Sequence, residues 1–293
     1  DEKKLVDAFY QDLEFGTGPI EASLPFSVTV QNNWDHTLVG TEVEEFRDFP
    51  AGSYVIDMGQ TAPRTFGNAL KPYGLLYYLT EDQKVPVAWA IDQSKDFNFK
   101  TDAGTTNTDT IGDTVDFTAL RDHDNNLATP GVSTEYRGGS FIIHEAFVTP
   151  DVVSLLNTWK AKGVVVDRIN ADFSAFIYGD VTSFPQAVLD EQNGGIIAGY
   201  YTSAEVPAAS YEIGGPLDLN VCNDVYVMPH ADPQDWTQAE QQTLYDFITG
   251  SRGGLWAACH AVSALEGLVD INGDGISDMN FLGEPEPTAP LDA

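Results

Sequence analysis

The sequence predicts an α/β protein, a doubly wound and mostly parallel sheet behind an N-terminal extension, and three observations carry that prediction. From Ala51 onward, short apolar runs alternate with stretches of helical periodicity, the pattern of repeated β-α-β units. Polar and titratable residues follow the ends of those runs, where open α/β sheets bind their ligands. Near the C-terminus an apolar run passes abruptly into a helical stretch through a small-residue turn.

The elements follow in order. Residues 1–50 form the extension, with a short helix over Asp1–Leu13 and a half-buried strand over Phe26–Val30; Trp34 and His36 read as packing and loop residues. Ser53–Ile56 is the first strand of the α/β domain. Phe66–Leu79 is a helix with Pro72 early in it, and Val85–Ile91 is the second strand. This β-α-β connection is expected to be right-handed. Gln93–Gly138 is a polar insertion rich in Thr, Asp, Asn and Gly, too long to be structureless unless it is functional or carries a hairpin. Within it Asp122, His123 and Asp124 read as a solvated charged turn rather than a cation site.

Ser140–Ile143 is the third strand. Thr149 as N-cap and Pro150 in the first turn open a helix over Val152–Lys162, which Gly163 closes before a strand at Val164–Val166. Residues 169–222 carry weaker signals: a strand over Gly194–Tyr201, a short helix over Ser203–Tyr211 and a loop at Gly214–Pro216. Asn223–Gly267 then reads as strand (Val225–Met228), helix (Trp236–Ile248), strand (Leu255–Ala258), a sharp turn with Cys259 and His260, and a helix over Val262–Leu268. The domain thus spans 51–269. Its stretches around His144 and His230 echo one another, each a strand, a histidine near an acid, a helix, glycine and a strand, which suggests two similar halves.

Charge bounds the partners. The chain carries 45 acidic against 14 basic residues, a net of −31, and such a field repels nucleic acid and anionic membranes. No apolar run reaches the length of a membrane span. The acids are scattered, as on a solvated anionic surface. The two cysteines, Cys222 and Cys259, fall at opposite ends of neighbouring parallel strands, roughly 15–20 Å apart, so both are expected as free thiols.

Residues 270–281 have the spacing of a calcium loop. Asp270, Asn272 and Asp274 supply oxygens at positions 1, 3 and 5, Gly275 makes the turn, and Ile276 and Asp278 follow at positions 7 and 9. Phe281 stands where a paired EF-hand has its bidentate Glu, so the loop is closer to the calcium repeats of secreted modules. The proline-bearing tail, 282–293, reads as a linker.

Doubly wound topology would gather Asp57, Asp92, His144, Glu145, His230, Asp232, Cys259 and His260 on one rim. Three readings of that rim compete. A cysteine hydrolase or amidotransferase would use Cys259 as nucleophile, His230 or His260 as base, and Glu145 or Asp232 to orient it. A transition-metal centre, with zinc the natural ion for neutral imidazoles, would use His144, His230 and His260 with a carboxylate. A non-catalytic surface module would use these groups only to satisfy one another and the loop backbones.

Val227-Met228-Pro229 and Ala258-Cys259-His260 resemble the core of the class I glutamine amidotransferase-like superfamily, in particular its PfpI-type intracellular proteases. The resemblance implies a flavodoxin-like sheet with a nucleophile elbow at Cys259. His230-Ala231 stands where the family has two glycines that help form the oxyanion hole, and Ala261 replaces the elbow glycine. KPYGLLYYLTEDQKVPVAW, GGSFIIHEAF, MPHADP and WAACHAVSALE also resemble uncharacterised secreted bacterial surface proteins, which implies a secreted or cell-surface setting with other extracellular components as partners. The sequence therefore points to an extracellular calcium-binding module on an amidotransferase-like scaffold in a structural or interaction role, with the cysteine hydrolase and the metal-dependent enzyme as alternatives.

Overall fold

The computed structural model describes residues 45–58, 69–92, 115–122, 131–230, 236–250 and 253–259, together with 261, 262, 265, 271 and 278. The chain divides into two compact units, Asp1–Val43 and Glu44–Ala293, and every described residue lies in the second. The helix and strand expected over Asp1–Leu13 and Phe26–Val30 therefore lie outside the described residues. So do Trp34, His36, His123, Asp124, Asp232, His260 and most of the calcium loop.

Among the described residues twelve strands form three sheets, and most of the pairing is antiparallel. The largest sheet holds β1 (Glu45–Phe49), β2 (Tyr54–Ile56), β3 (Val87–Ala90), β6 (Phe141–Ile143), β7 (Val166–Arg168) and β8 (Phe173–Val181) in the order β1-β8-β3-β6-β2-β7. Every neighbouring pair in it runs antiparallel. This overturns the doubly wound, mostly parallel sheet expected for the domain.

The helical crossovers explain the difference. β2 and β3 are joined through α1 (Lys71–Tyr77, extended by a π turn over Tyr78–Asp82) and are parallel to each other, but β6 lies between them. β6 and β7 are joined through α2 (Pro150–Ala161) and are likewise parallel, with β2 between them. Two β-α-β units are thus interleaved in the split, ferredoxin-like manner, so each strand's neighbour belongs to the other unit. A linear sequence displays the units and hides the interleaving.

The strands themselves encouraged the parallel reading because both faces of the sheet are covered. Tyr54, Ile56, Phe141, Ile143, Val87 and Val166 pack under α1 and α2 against Leu75, Leu79, Leu156 and Trp159. Val55, Ala88 and Ile142 point the other way, toward Phe117, Ala119 and Tyr136. Those three belong to a hairpin of β4 (Val115–Arg121) and β5 (Val132–Arg137) that forms inside the polar insertion. Here the length argument succeeded: the insertion does carry a hairpin. β1, placed by sequence in the extension, is an edge strand of the large sheet beside β8.

Among the described residues parallel pairing is confined to the four-stranded sheet β10-β9-β11-β12, made of β9 (Ala187–Asp190), β10 (Tyr211–Gly214), β11 (Val225–Met228) and β12 (Gly254–Ala257). α3 (Gly195–Ala204) links β9 to β10, and α4 (Gln238–Thr249) links β11 to β12. Leu189, Val227 and Ile197 fill one face, and Tyr226, Met228, Leu244 and Phe247 the other. The strand expected over Gly194–Tyr201 is thus helix α3, and the helix expected over Ser203–Tyr211 is the end of α3, a 3-10 turn at Ala208–Ser210 and the start of β10. Its β-rich residues Ile196, Ile197, Tyr200 and Tyr201 misled the reading; only Ile197 among them is buried, and packing overrides propensity there.

The N-cap expected at Thr149 is present, and a further cap forms at Thr237. Thr149 caps α2 by accepting the Val152 amide at 3.2 Å, with Pro150 in the first turn. Thr237 and Glu240 cap α4 reciprocally, the Thr237 amide donating to Glu240 Oε2 at 2.6 Å. The echo between the His144 and His230 stretches does not extend to pairing: the first forms a split antiparallel unit, the second two adjacent parallel strands. Among the described residues no helix is long and apolar enough to cross a membrane.

Candidate functional site

The order β10-β9-β11-β12 reverses direction between β9 and β11, since the chain first adds β10 on one side of β9 and then β11 and β12 on the other. In open α/β sheets that reversal opens a crevice beyond the strands' carboxyl ends. Here β9 delivers Asp190 and Glu191, β11 delivers Pro229 and His230, and β12 delivers Ala258 and Cys259.

Cys259 is exposed and holds φ at 56°, in the left-handed region. That conformation costs a β-carbon-bearing residue about 1–2 kcal/mol. Two other non-glycine residues among those described share it, Lys84 (φ 55°) and Glu205 (φ 61°), and each follows a helix. A left-handed residue is the ordinary way to stop a helix. Cys259 instead joins a strand to a helix. Its carbonyl accepts the Val262 amide at 3.2 Å, and Ala261 and Leu265 bury into the cluster around Tyr226 and Met228. The turn is an elbow, and its side chain is presented to solvent.

Its neighbour is set by the ladder. Met228 pairs with Ala257, and the Ala258 amide donates to the Met228 carbonyl at 3.3 Å. The ladder ends at that pair, and the exposed His230 and Cys259 each lie two residues beyond it, past the carboxyl ends of adjacent parallel strands. His230 is tied from the other side, where Asn193 Nδ2 donates to its carbonyl at 2.9 Å. Asn193 in turn sits in a turn organised by Asp190, whose Oδ1 accepts the amides of Gln192 and Asn193 at 2.9 and 3.3 Å. Asp190 Oδ2 accepts the Tyr226 hydroxyl at 2.6 Å, inside the sheet. Burial, with the nearby Asp190 carboxylate, pushes the Tyr226 phenol far above its ordinary range.

Asp190 and Asn193 were missed by sequence. Their signal was present in Ala187-Val188-Leu189-Asp190, an apolar run ending in an acid like those recognised elsewhere, followed by Asn193-Gly194. It was overlooked because the strand was assigned a few residues later, over what is α3.

The remaining candidates are dispersed by the antiparallel sheet. Asp57 and Asp92 follow β2 and β3, whereas His144 and Glu145 follow β6, which runs against both. The two pairs stand at opposite ends of the sheet, so the single rim expected of a doubly wound fold does not form. His144 is engaged as a cap: its Nδ1 accepts the Ala146 amide at 3.0 Å, and its ring lies 5.9 Å from that of Phe49. The exposed Glu145 has its amide on Ser53 Oγ and its side chain against Gly52. Both therefore belong to the six-stranded sheet, while His230 and Cys259 belong to the four-stranded one. Among the described residues no group of three or more His, Cys, Asp or Glu lies close enough to hold a metal ion.

No family model, curated protein or solved structure matches this chain.

Of the calcium loop only Asp278 and Ile271 are described. Asp278 Oδ2 accepts the Ile271 amide at 2.6 Å, and Gln238 Nε2, at the start of α4, donates to the Ile271 carbonyl at 2.8 Å. Both thiols are free and exposed. Cys222 lies in the turn before β11 and Cys259 follows β12, which places them at opposite ends of a parallel pair.

Proposed function

We propose that the chain is an extracellular or cell-surface α/β module whose Cys259 acts as the nucleophile of a cysteine-dependent hydrolase or amidase. The observation that carries this reading is the left-handed, solvent-facing cysteine at a strand-to-helix elbow beside a sheet's reversal point. Strain at a position where glycine would be free is retained where the side chain itself is needed. In the proposed reaction the Cys259 sulfur attacks an amide or ester carbonyl carbon, and His230 accepts the thiol proton and passes it to the leaving amine or alcohol. Water then cleaves the thioester, restoring the thiol and releasing the acid.

Alkylation tests it directly. Cys222 and Cys259 are both exposed, so accessibility does not separate them. With iodoacetamide at neutral pH, peptide mapping is expected to show Cys259 modified at least about tenfold faster than Cys222. His230→Ala is expected to bring Cys259 down toward the Cys222 rate. Equal, slow labelling of both thiols in the unsubstituted protein sinks the proposal.

A calcium-stabilised loop over 270–281 accompanies this reading. It is favoured by the alternating oxygens of the sequence and by the closure of the loop through Asp278 and Ile271. Excess EDTA is expected to lower the melting temperature and added calcium to restore it; an unchanged melt removes the claim.

A further inference from the structure

A cavity of about 380 Å³ lies between α1, the β3–β6 region of the large sheet, the linker from β8 to β9, and α3. Its volume falls within the range of small-molecule sites, and its place between two layers of different sheets is where such sites recur. Six aromatic residues line it: Tyr73, Trp89, Phe141, Phe184, Tyr200 and Tyr201. Trp89 stacks on Phe141 at 5.8 Å between centroids, and Tyr73 meets Phe141 edge-on at 6.2 Å. Phe184 meets Tyr201 edge-on at 6.0 Å across the linker side.

The polar inventory of the walls is what selects a ligand. In a chain with 45 carboxylate residues, none of the described residues that line the cavity is charged. The Trp89 indole N–H is already committed to the Gly139 carbonyl at 3.0 Å, which leaves only its ring for the cavity. Burial pushes the Tyr73 and Tyr201 phenols above their ordinary range, so they stay neutral. An ionised ligand would find no counter-charge among these residues, and the hydroxyls of Ser183, Tyr73, Tyr200 and Tyr201 are too few to match a sugar, each of whose buried unpaired groups costs about 1–3 kcal/mol. At the mouth, Tyr73 and Tyr200 remain 43% and 53% exposed, a large aromatic surface that folding alone leaves uncovered.

We propose that this cavity binds a neutral aromatic small molecule, held by edge and face contacts with Trp89, Phe141 and Tyr201 and closed over by Tyr73 and Tyr200. The site is independent of Cys259, which belongs to the other sheet's elbow.

N-Phenyl-1-naphthylamine, a neutral aromatic probe that fluoresces on leaving water, is titrated into the full chain. Saturable enhancement is expected. Tyr200→Ala, at an exposed position that the fold does not need, is expected to weaken the probe about tenfold by removing one ring face. Ser183→Trp, which fills the cavity, is expected to abolish the signal, with its melt recorded alongside. Ile213→Ala, an exposed apolar position on β10, serves as the control and is expected to leave binding unchanged. Three results would overturn the proposal: no enhancement, enhancement that Tyr200→Ala leaves unaltered, or displacement of the probe by cellobiose.

Discussion

Gly74→Ala is expected to lower the melting temperature by roughly 5–10 °C, although alanine is the better helix former by about 1 kcal/mol. Gly74 lies inside α1 and is buried against the end of α3. A β-carbon there would stand 1.8 Å from the Ala204 carbonyl oxygen and 2.6 Å from Trp159 Cη2. Neither neighbour can yield: one is backbone, and the other is the fully buried indole at the centre of the packing under α1 and α2. The helices must therefore separate. The same joint is clamped from outside by Glu205, which follows α3 and ion-pairs with Lys71 on α1 and with Lys162 just past α2. Both lysines hold the Glu205 carboxyl below its usual range. Gly199→Ala is the matched control, since that helical glycine is exposed and meets nothing within 4 Å. It is expected to raise the melt slightly. A Gly74→Ala protein as stable as its parent would show that α1 and α3 do not pack as described.

How far the sequence foretold this structure depends on the range of the interaction that decides each feature. Thr149 and the Cys259 turn act within a few residues and are readable in the sequence, whereas the equally local Thr237–Glu240 cap is not among the expected features. The β2-α1-β3 and β6-α2-β7 units were also readable as units. Their interleaving was not, because strand order is settled by closure of the sheet with β1 and β8 and by the hairpin that covers Val55 and Ile142. Those contacts join positions far apart in the chain. The site suffered accordingly. His230 and Cys259 do follow adjacent strands, because β11 and β12 are neighbours and parallel. Glu145 and His144 were grouped with them only through the assumed topology, and the antiparallel sheet removes that ground. Asp190 was lost to a frame error of a few residues, from reading α3's aliphatic and tyrosine-rich stretch as strand.

Asp190→Ala is expected to be the most damaging single change at the crevice, costing about 3 kcal/mol of stability and slowing Cys259 alkylation. The carboxylate is buried and accepts from the Tyr226 hydroxyl and the amides of Gln192 and Asn193. Removing it strands a phenol that has no access to water and frees the turn that carries Asn193, the residue holding the His230 carbonyl. Tyr226→Phe is expected to cost less, since the carboxylate keeps both amides. The double variant should cost less than the sum of the two, because the orphaned hydroxyl is gone. The pH dependence supplies a separate readout. The folded phenol of Tyr226 titrates above its unfolded value of about 10, so its contribution is intact below that pH. As pH rises beyond it, the unfolded chain loses a proton that the folded chain keeps, and stability falls by about 1.4 kcal/mol per pH unit for this group. Tyr54, Tyr73 and Tyr201 shift in the same direction and add to the slope. Urea unfolding at pH 8 and pH 11 should therefore show a smaller alkaline loss in Tyr226→Phe than in the parent. An identical loss in both would mean that Tyr226 is not buried against Asp190, and the turn through which Asn193 holds the His230 carbonyl would lose its anchor.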